Sequence, residues 1–312
     1  MKILYLAELD PYKWDGGGEA VMRGILDKGK EIGHDIIIRT PEDEEGDVLA
    51  ELKKNDLYFC CDMDNRPTVK KWFSSSIFEE FLPDKIMNLP KGYILFANGY
   101  CDVCRMDYTP CNLTGDLYCK NCPKNDILRR EFIRHASLNV YVSELQGRMS
   151  LKHMGLMDKL EDVYVCMPEI DENVFNNSGL DRDIEFLYVG VLCNAKGVYG
   201  AIKYIEDNAI SDDRAFFVGP TIVGAPRRGT HIQKVEKEEV ANYMNRSEVF
   251  WSRPEWYEPF GMTSIEAIKC GCDLLFNDNL GSLSNFDYDA KMARNHSFSG
   301  SYEKLWHRIG EL

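Results

Sequence analysis

The sequence predicts an α/β protein built from two strand–helix–strand halves, each carrying a parallel sheet covered on both faces. Three observations carry this expectation. A βαβ opening occupies residues 2–38, a second βα unit begins at Glu185, and a polar stretch at residues 176–183 lies between them. In the opening unit, Lys2-Ile3-Leu4-Tyr5-Leu6 reads as an apolar strand. A strand buried on both faces has no solvent side, so it loses the alternation of a half-exposed one. The loop Gly16-Gly17-Gly18 follows, and an amphipathic run extends from Glu19 to Ile32. Gly33-His34-Asp35 ends that run, and Ile36-Ile37-Ile38 starts the next strand. The glycines lack the GxGxxG spacing, so they do not specify a dinucleotide, and they also fit an ordinary strand-to-helix turn.

Further along, Leu57–Cys61 and residues 94–97 read as strands of the first half, and Glu185-Phe186-Leu187-Tyr188-Val189 opens the second. The 312 residues, 44% of them hydrophobic, are enough for two ordinary cores. Residues 176–183 are the natural linker. The expected division is 1–175, 183–295 and a tail of 296–312 with a helix-like run at residues 302–309. No stretch of eighteen apolar residues is present, and Met1-Lys2 leads straight into the first strand, so the expected location is cytoplasmic. A formal charge of −14 disfavours non-specific binding to nucleic acid or anionic lipid.

The chemistry concentrates in Arg253-Pro254-Glu255-Trp256-Tyr257-Glu258-Pro259-Phe260-Gly261-Met262-Thr263-Ser264-Ile265-Glu266-Ala267-Ile268-Lys269-Cys270-Gly271. Thr263-x-x-Glu266 reads as a capping box and Gly271 as a helix stop. Glu258 then lies in the loop ahead of the helix. Phe260, Gly261, Met262 and Thr263 present unpaired N–H groups at the positive end, which suits a diphosphate. Each carboxylate also has a plainer reading, Glu266 as a capping residue and Glu258 as a solvated loop charge.

This string resembles the Glu-x7-Glu signature of retaining glycosyltransferases of the GT-B fold, in which two Rossmann-like domains face a cleft. Cys272-Asp273 departs from the small residue and proline that usually follow. Val189-Gly190 and Lys196-Gly197 are similar to the family stretch whose arginine and lysine neutralise the donor diphosphate. Lys196 matches the lysine, while Val191 stands where the arginine is expected, leaving Arg227 or Arg228 as substitutes. Residues 138–143, 163–168, 216–220 and 248–252 fall in the family's order of strands. The resemblance implies Glu258 as the catalytic carboxylate contacting the donor sugar. It implies Glu266 on the ribose, and Lys196 with residues 260–263 on the diphosphate. Gly17 and Gly18 would lie over the diphosphate, and Gly219 beside the nucleotide. Asn98 stands near the family's donor-contacting histidine, which is absent here. The resemblance also implies that the run at 302–309 crosses back onto the first half. No divalent metal is required for such catalysis.

Five of the eleven cysteines fall between Cys101 and Cys122. Cys101-x2-Cys104 and Cys119-x2-Cys122 are fourteen residues apart, close to the spacing of a four-thiolate structural zinc site, with Cys111 a possible substitute ligand. Disulfides, an iron–sulfur centre or unligated thiols are the other readings. The Cys-rich insertion spans 99–125. The basic segment after it, with Arg130 and Arg134 one helical turn apart, fits an anionic acceptor or a solvated face. Asp62-Met63-Asp64 has the Asp-x-Asp pattern, which also occurs at residues 181–183 and 287–289 and so does not discriminate.

The expected activity is transfer of a sugar from a nucleoside diphosphate to an acceptor hydroxyl, with retention. The acceptor is a glycan or lipid-linked sugar, or hydroxymethylated DNA. A non-catalytic nucleotide-sugar or nucleic-acid binder, and a sugar-nucleotide epimerase or hydrolase, are the competing readings.

Overall fold

A computed structural model describes residues 1–14, 16–61, 92–100 and 127–312. They form two compact units, residues 1–169 with 300–312, and residues 170–299.

The first unit opens with β1 (Lys2–Ala7), α1 (Gly17–Glu31), β2 (Asp35–Arg39), α2 (Glu45–Leu52) and β3 (Leu57–Cys61). It continues through β4 (Tyr93–Ala97), α3 (Ile127–His135), β5 (Leu138–Tyr141), α4 (Glu144–Met154) and β6 (Val163–Val165). The strands pair in parallel in the order β2-β1-β3-β4-β5-β6. Every residue of β3 and β4 is buried, as expected of strands covered on both faces. Helix α1 begins two residues before the amphipathic run. Gly16, with φ −145°, takes the cap position and accepts the Ala20 N–H, so Gly17 and Gly18 are helical rather than loop. The buried face of α1 is Val21, Met22, Ile25 and Leu26. Helix α4 is capped by Ser143, whose hydroxyl accepts the Gln146 N–H, and Gly155 with φ +67° reverses the chain after it.

The second unit contains β7 (Ile184–Val189), α5 (Val198–Asp207), β8 (Ala215–Val218), β9 (Thr230–Ile232), α6 (Lys237–Asn245) and β10 (Ser247–Ser252). After these come α7 (Met262–Lys269), β11 (Asp273–Phe276), α8 (Gly281–Ser284) and α9 (Ala290–Asn295). Its parallel sheet runs β11-β10-β7-β8-β9. Phe186, Tyr188, Leu192, Ala201, Ile205, Phe217 and Trp251 form a core between sheet and α5. The polar stretch 176–183 belongs to this unit and does not bridge to it. The Arg182 guanidinium donates to the carbonyls of Ser247 and Cys270, and the Ser178 N–H donates to Asn245 Oδ1 at 2.7 Å. Its polar composition serves these bonds, so the units part earlier, at 169/170.

The chain then returns to the first unit as α10 (Ser301–Gly310). Trp306 is 1% exposed, donates its indole N–H to the Ile25 carbonyl at 2.7 Å, and packs on Phe59 and His34. The close approach of α10 to α1 uses two glycines. A Cβ at Gly24 would lie 2.5 Å from Tyr302, and one at Gly29 would lie 2.6 Å from Trp306.

Candidate functional site

In the second unit the chain leaves β7 towards β8 on one side and β10 towards β11 on the other. Loops at such a switch point diverge and leave a crevice beyond the strand ends, where ligands of open α/β sheets bind. The two loops here carry residues 190–197 and 253–261. They are tied together: the Glu255 N–H donates to the Ala195 carbonyl at 2.8 Å, and both Asn277 and Asn279 donate to the Pro254 carbonyl at 3.0 Å. Glu258 is fixed by its own backbone, its N–H bonded to Asn279 O and its carbonyl to the Gly281 N–H.

Across this crevice the Lys196 ammonium pairs with the Glu258 carboxylate. The Glu258 side chain is 12% exposed, and its Oε2 also accepts the Trp256 indole N–H at 3.1 Å. Lys196 lies 5.4 Å from the centre of that indole ring. Glu258 is therefore no solvated loop charge.

Gly261 starts α7 with φ +86°, a conformation that costs a residue with a side chain. A Cβ there would also come within 2.7 Å of Leu280 and 3.2 Å of Glu258 Cγ. The cap is thus a glycine with no side-chain bond, and Thr263 is the second residue of the helix, not the head of a capping box. The N–H groups of Met262 and Thr263 meet no acceptor among the described residues. Phe260 is buried, its carbonyl taken by the Ser282 N–H. Gly271, with φ +89°, does stop the helix. Freed from a capping role, the Glu266 carboxylate makes no hydrogen bond or ion pair among the described residues, and removal from water pushes its carboxyl up to about 7.

Gly219 ends β8 with φ +133°, and a Cβ on it would lie 2.3 Å from the Gly190 carbonyl at the end of β7. Its own carbonyl is 2.9 Å from His231 Nε2. The sheet's opposite edge holds the two arginines expected to replace the missing one. Arg227 pairs with Glu206, and Arg228 pairs with Asp212 while donating to the Ile210 carbonyl, all of them groups near the start of β8. Neither faces the crevice. Val191 is 40% exposed beside it.

In the first unit the switch point lies between β1 and β3. Gly18 packs on Asn98, with 3.3 Å between a Cβ on the glycine and the Asn98 Cβ, while Gly17 faces open space. Gln146, fully buried, donates to the carbonyls of Ala97 and Gly99 at 3.0 Å and so clamps the backbone on both sides of Asn98. Arg134 lies elsewhere. It ends α3, just before β5 begins, on the far edge of the sheet, and pairs there with Glu131 and Asp158 beside a cavity of about 350 Å³. Arg130, a turn earlier, reaches towards Gly155 at the end of α4. Neither arginine shares the edge of Gly18 and Asn98.

No family model and no curated protein matches the chain. Solved structures do. The chain is similar to Anabaena Alr3699/HepE crystallised with UDP and glucose, at 13% identity and TM-score 0.62, over 100% of both chains. It is similar to the sucrose-phosphate synthase of Thermosynechococcus elongatus at 12% identity and TM-score 0.66, over 100% of this chain and 99% of that one. An α-glucosyltransferase in complex with UDP and a 13-mer DNA aligns at 13% identity and TM-score 0.55, over 100% of this chain and 90% of that one. The fold is GT-B.

Within the GT-B frame, the structure brings Lys196, Glu258 and the start of α7 to the carboxyl ends of the strands in the second unit, with Glu266 in the second turn of α7, and Gly17, Gly18 and Asn98 to the carboxyl ends of the strands in the first. Sequence reasoning missed Trp256, which orients Glu258, although it stands only two residues ahead of it. It also missed Glu8, a carboxylate 2% exposed just past β1. Cys101, Cys104, Cys111, Cys119, Cys122 and the Asp62-Met63-Asp64 motif lie outside the described residues. Among the described residues no group of three or more His, Cys, Asp or Glu is placed to hold a metal, and no helix is long and apolar enough to cross a membrane.

Proposed function

We propose that this chain transfers a sugar from a nucleoside-diphosphate sugar to an acceptor hydroxyl. The observation that carries the reading is the Glu266 carboxylate, half-buried and without a partner among the described residues, behind an α7 terminus with unpaired N–H groups. A half-buried carboxylate with no protein donor is open to one from a ligand, and ribose hydroxyls supply two. A diphosphate supplies the anion for the helix terminus. Lys196 and the N–H groups of residues 261–263 stabilise the leaving diphosphate as its charge grows. Glu258, held by Lys196 and Trp256, accepts hydrogen bonds from the donor sugar and favours positive charge developing at C1. No divalent metal enters this scheme, and the anomeric configuration is retained by analogy with the family that the Glu258-x7-Glu266 string resembles. HepE was crystallised with UDP and glucose, which supports a uridine diphosphate donor.

A glycan acceptor is favoured over DNA. Arg134 is already neutralised by two carboxylates and lies away from the edge of Gly18 and Asn98. The spacing of the paired Cys-x2-Cys motifs at 101–104 and 119–122 supports a structural zinc ion, and metal analysis of the purified chain is expected to return about one zinc per molecule.

Thermal-shift measurement against UDP-, GDP-, ADP-, TDP- and CMP-sugars tests the reading. At about a hundred times its dissociation constant the true donor adds roughly 2.7 kcal/mol. Glu266→Ala abolishes the shift. Glu258→Ala keeps the fold and loses most turnover, and near-normal turnover in that variant would exclude the catalytic role given to Glu258.

A further inference from the structure

We infer that Arg253 is the second cation of the diphosphate site, reaching the β-phosphate of a nucleoside diphosphate beside Lys196. The inference rests on the transferase reading and names a residue that neither the family pattern nor the fold assigns.

Charge matching at the crevice motivates it. The loops after β7 and β10, residues 190–197 and 253–261, contain two cations, Lys196 and Arg253. The same loops carry the carboxylates of Glu255 and Glu258, and Glu266 follows on α7. Lys196 is already matched by Glu258. A diphosphate entering with about two to three negative charges would then meet a neutral or negative wall unless a further cation faced it. Arg227 and Arg228 are spent at the opposite edge.

Arg253 has the placement required. It follows the last residue of β10 directly, at the strand end that opens on the crevice. Its side chain is exposed and forms no ion pair among the described residues. The guanidinium is carried over the face of Trp251 at 5.6 Å, a contact that orients the group without neutralising its charge. Its backbone is packed against the Lys196 loop so closely that a Cβ on Gly197 would lie 2.2 Å from the Arg253 carbonyl. Next to it, Pro254 is held by Asn277 and Asn279, and Glu255 by Ala195. Arg253 therefore stands on a braced loop, one residue from Lys196's neighbour, with its five donors unspent on carboxylates. A planar fork of this kind suits a phosphate.

Isothermal titration tests the assignment, using whichever of UDP, GDP, ADP and TDP binds the wild-type chain most tightly, together with its own monophosphate. Arg253→Gln is expected to weaken the diphosphate about tenfold or more and to leave the monophosphate within about threefold, with Arg253→Lys recovering part of the loss. An Arg253→Gln chain that binds the diphosphate as wild type does would overturn the assignment and leave the transferase reading standing. Equal losses for diphosphate and monophosphate would also overturn it, since that is the signature of a packing role on Trp251. A wild-type chain that binds none of these nucleotides would overturn the transferase reading, and this inference with it.

Discussion

Glu266 sets the stability of the ligand-free protein against pH. Removal from water penalises its charged form and pushes its carboxyl up to about 7, from an ordinary value near 4.5. The folded state holds the proton more tightly than the unfolded chain does. Stability therefore falls as pH rises from about 4.5 to about 7, and stays lower above that. At about 1.4 kcal/mol per pH unit the total is roughly 3.5 kcal/mol. Glu266→Gln removes the charge and keeps the shape. Its melting temperature is expected to exceed that of wild type at pH 8, with the difference shrinking as pH falls towards 5. A constant difference across that range would show that Glu266 has a partner. Under the proposed function the same variant is expected to lose nucleotide binding, the behaviour of a group kept at a cost in stability for its ligand. The string around Glu266 was legible in sequence, but its isolation was not. Thr263-x-x-Glu266 has the spacing of a capping box, and only the positive φ of Gly261 gives the cap to the glycine and frees the carboxylate.

At the scale of elements, glycines decide how closely the loops approach. Gly197 caps α5 with φ +76° and lies against the Arg253 carbonyl. Gly197→Ala meets both a strained backbone and a backbone clash, and is expected to cost at least about 2 kcal/mol in a denaturant titration. Gly17 offers the contrast, since it is helical and a Cβ there meets nothing within 4 Å. Gly17→Ala is expected to gain about 0.5–1 kcal/mol. Equal effects from the two would contradict this assignment of their roles. Element existence was readable from the chain because continuous apolar runs such as Leu57–Cys61 coincide with the strands. What local pattern does not encode is which edge of a sheet a side chain serves. Arg227, Arg228 and Arg134 look available in sequence, and carboxylates far along the chain claim them, Glu206 for the first and Asp158 for the last. Arg253 was overlooked for the converse reason, as its value lies in lacking such a partner.

For the molecule as a whole, the first unit is closed by α10. Trp306 fills the space between α1 and the sheet, so Trp306→Ala is expected to cost about 3–5 kcal/mol. Native-state hydrogen exchange locates that loss. Amides of β1, β3 and α1 are expected to exchange faster, while those of β7 and β10 keep their protection, because the latter draw their packing from a separate core. Uniform acceleration in both units would show that they unfold as one. The helix-like run at 302–309 was legible and its return was implied by the family resemblance, but its docking, a tryptophan seated over Gly29, depends on residues nearly the whole chain apart.

That return also orders events on the ribosome. Domains generally fold as they are made, N-terminal one first, yet here the N-terminal unit lacks Trp306 until residues 301–310 have emerged. Residues 170–299 have by then all been synthesised and can complete their own core. The half made first is thus finished last, and a nascent chain interrupted before residue 301 carries an intact second unit and a first unit with an open apolar seam, the kind of surface that chaperones hold and proteases clear.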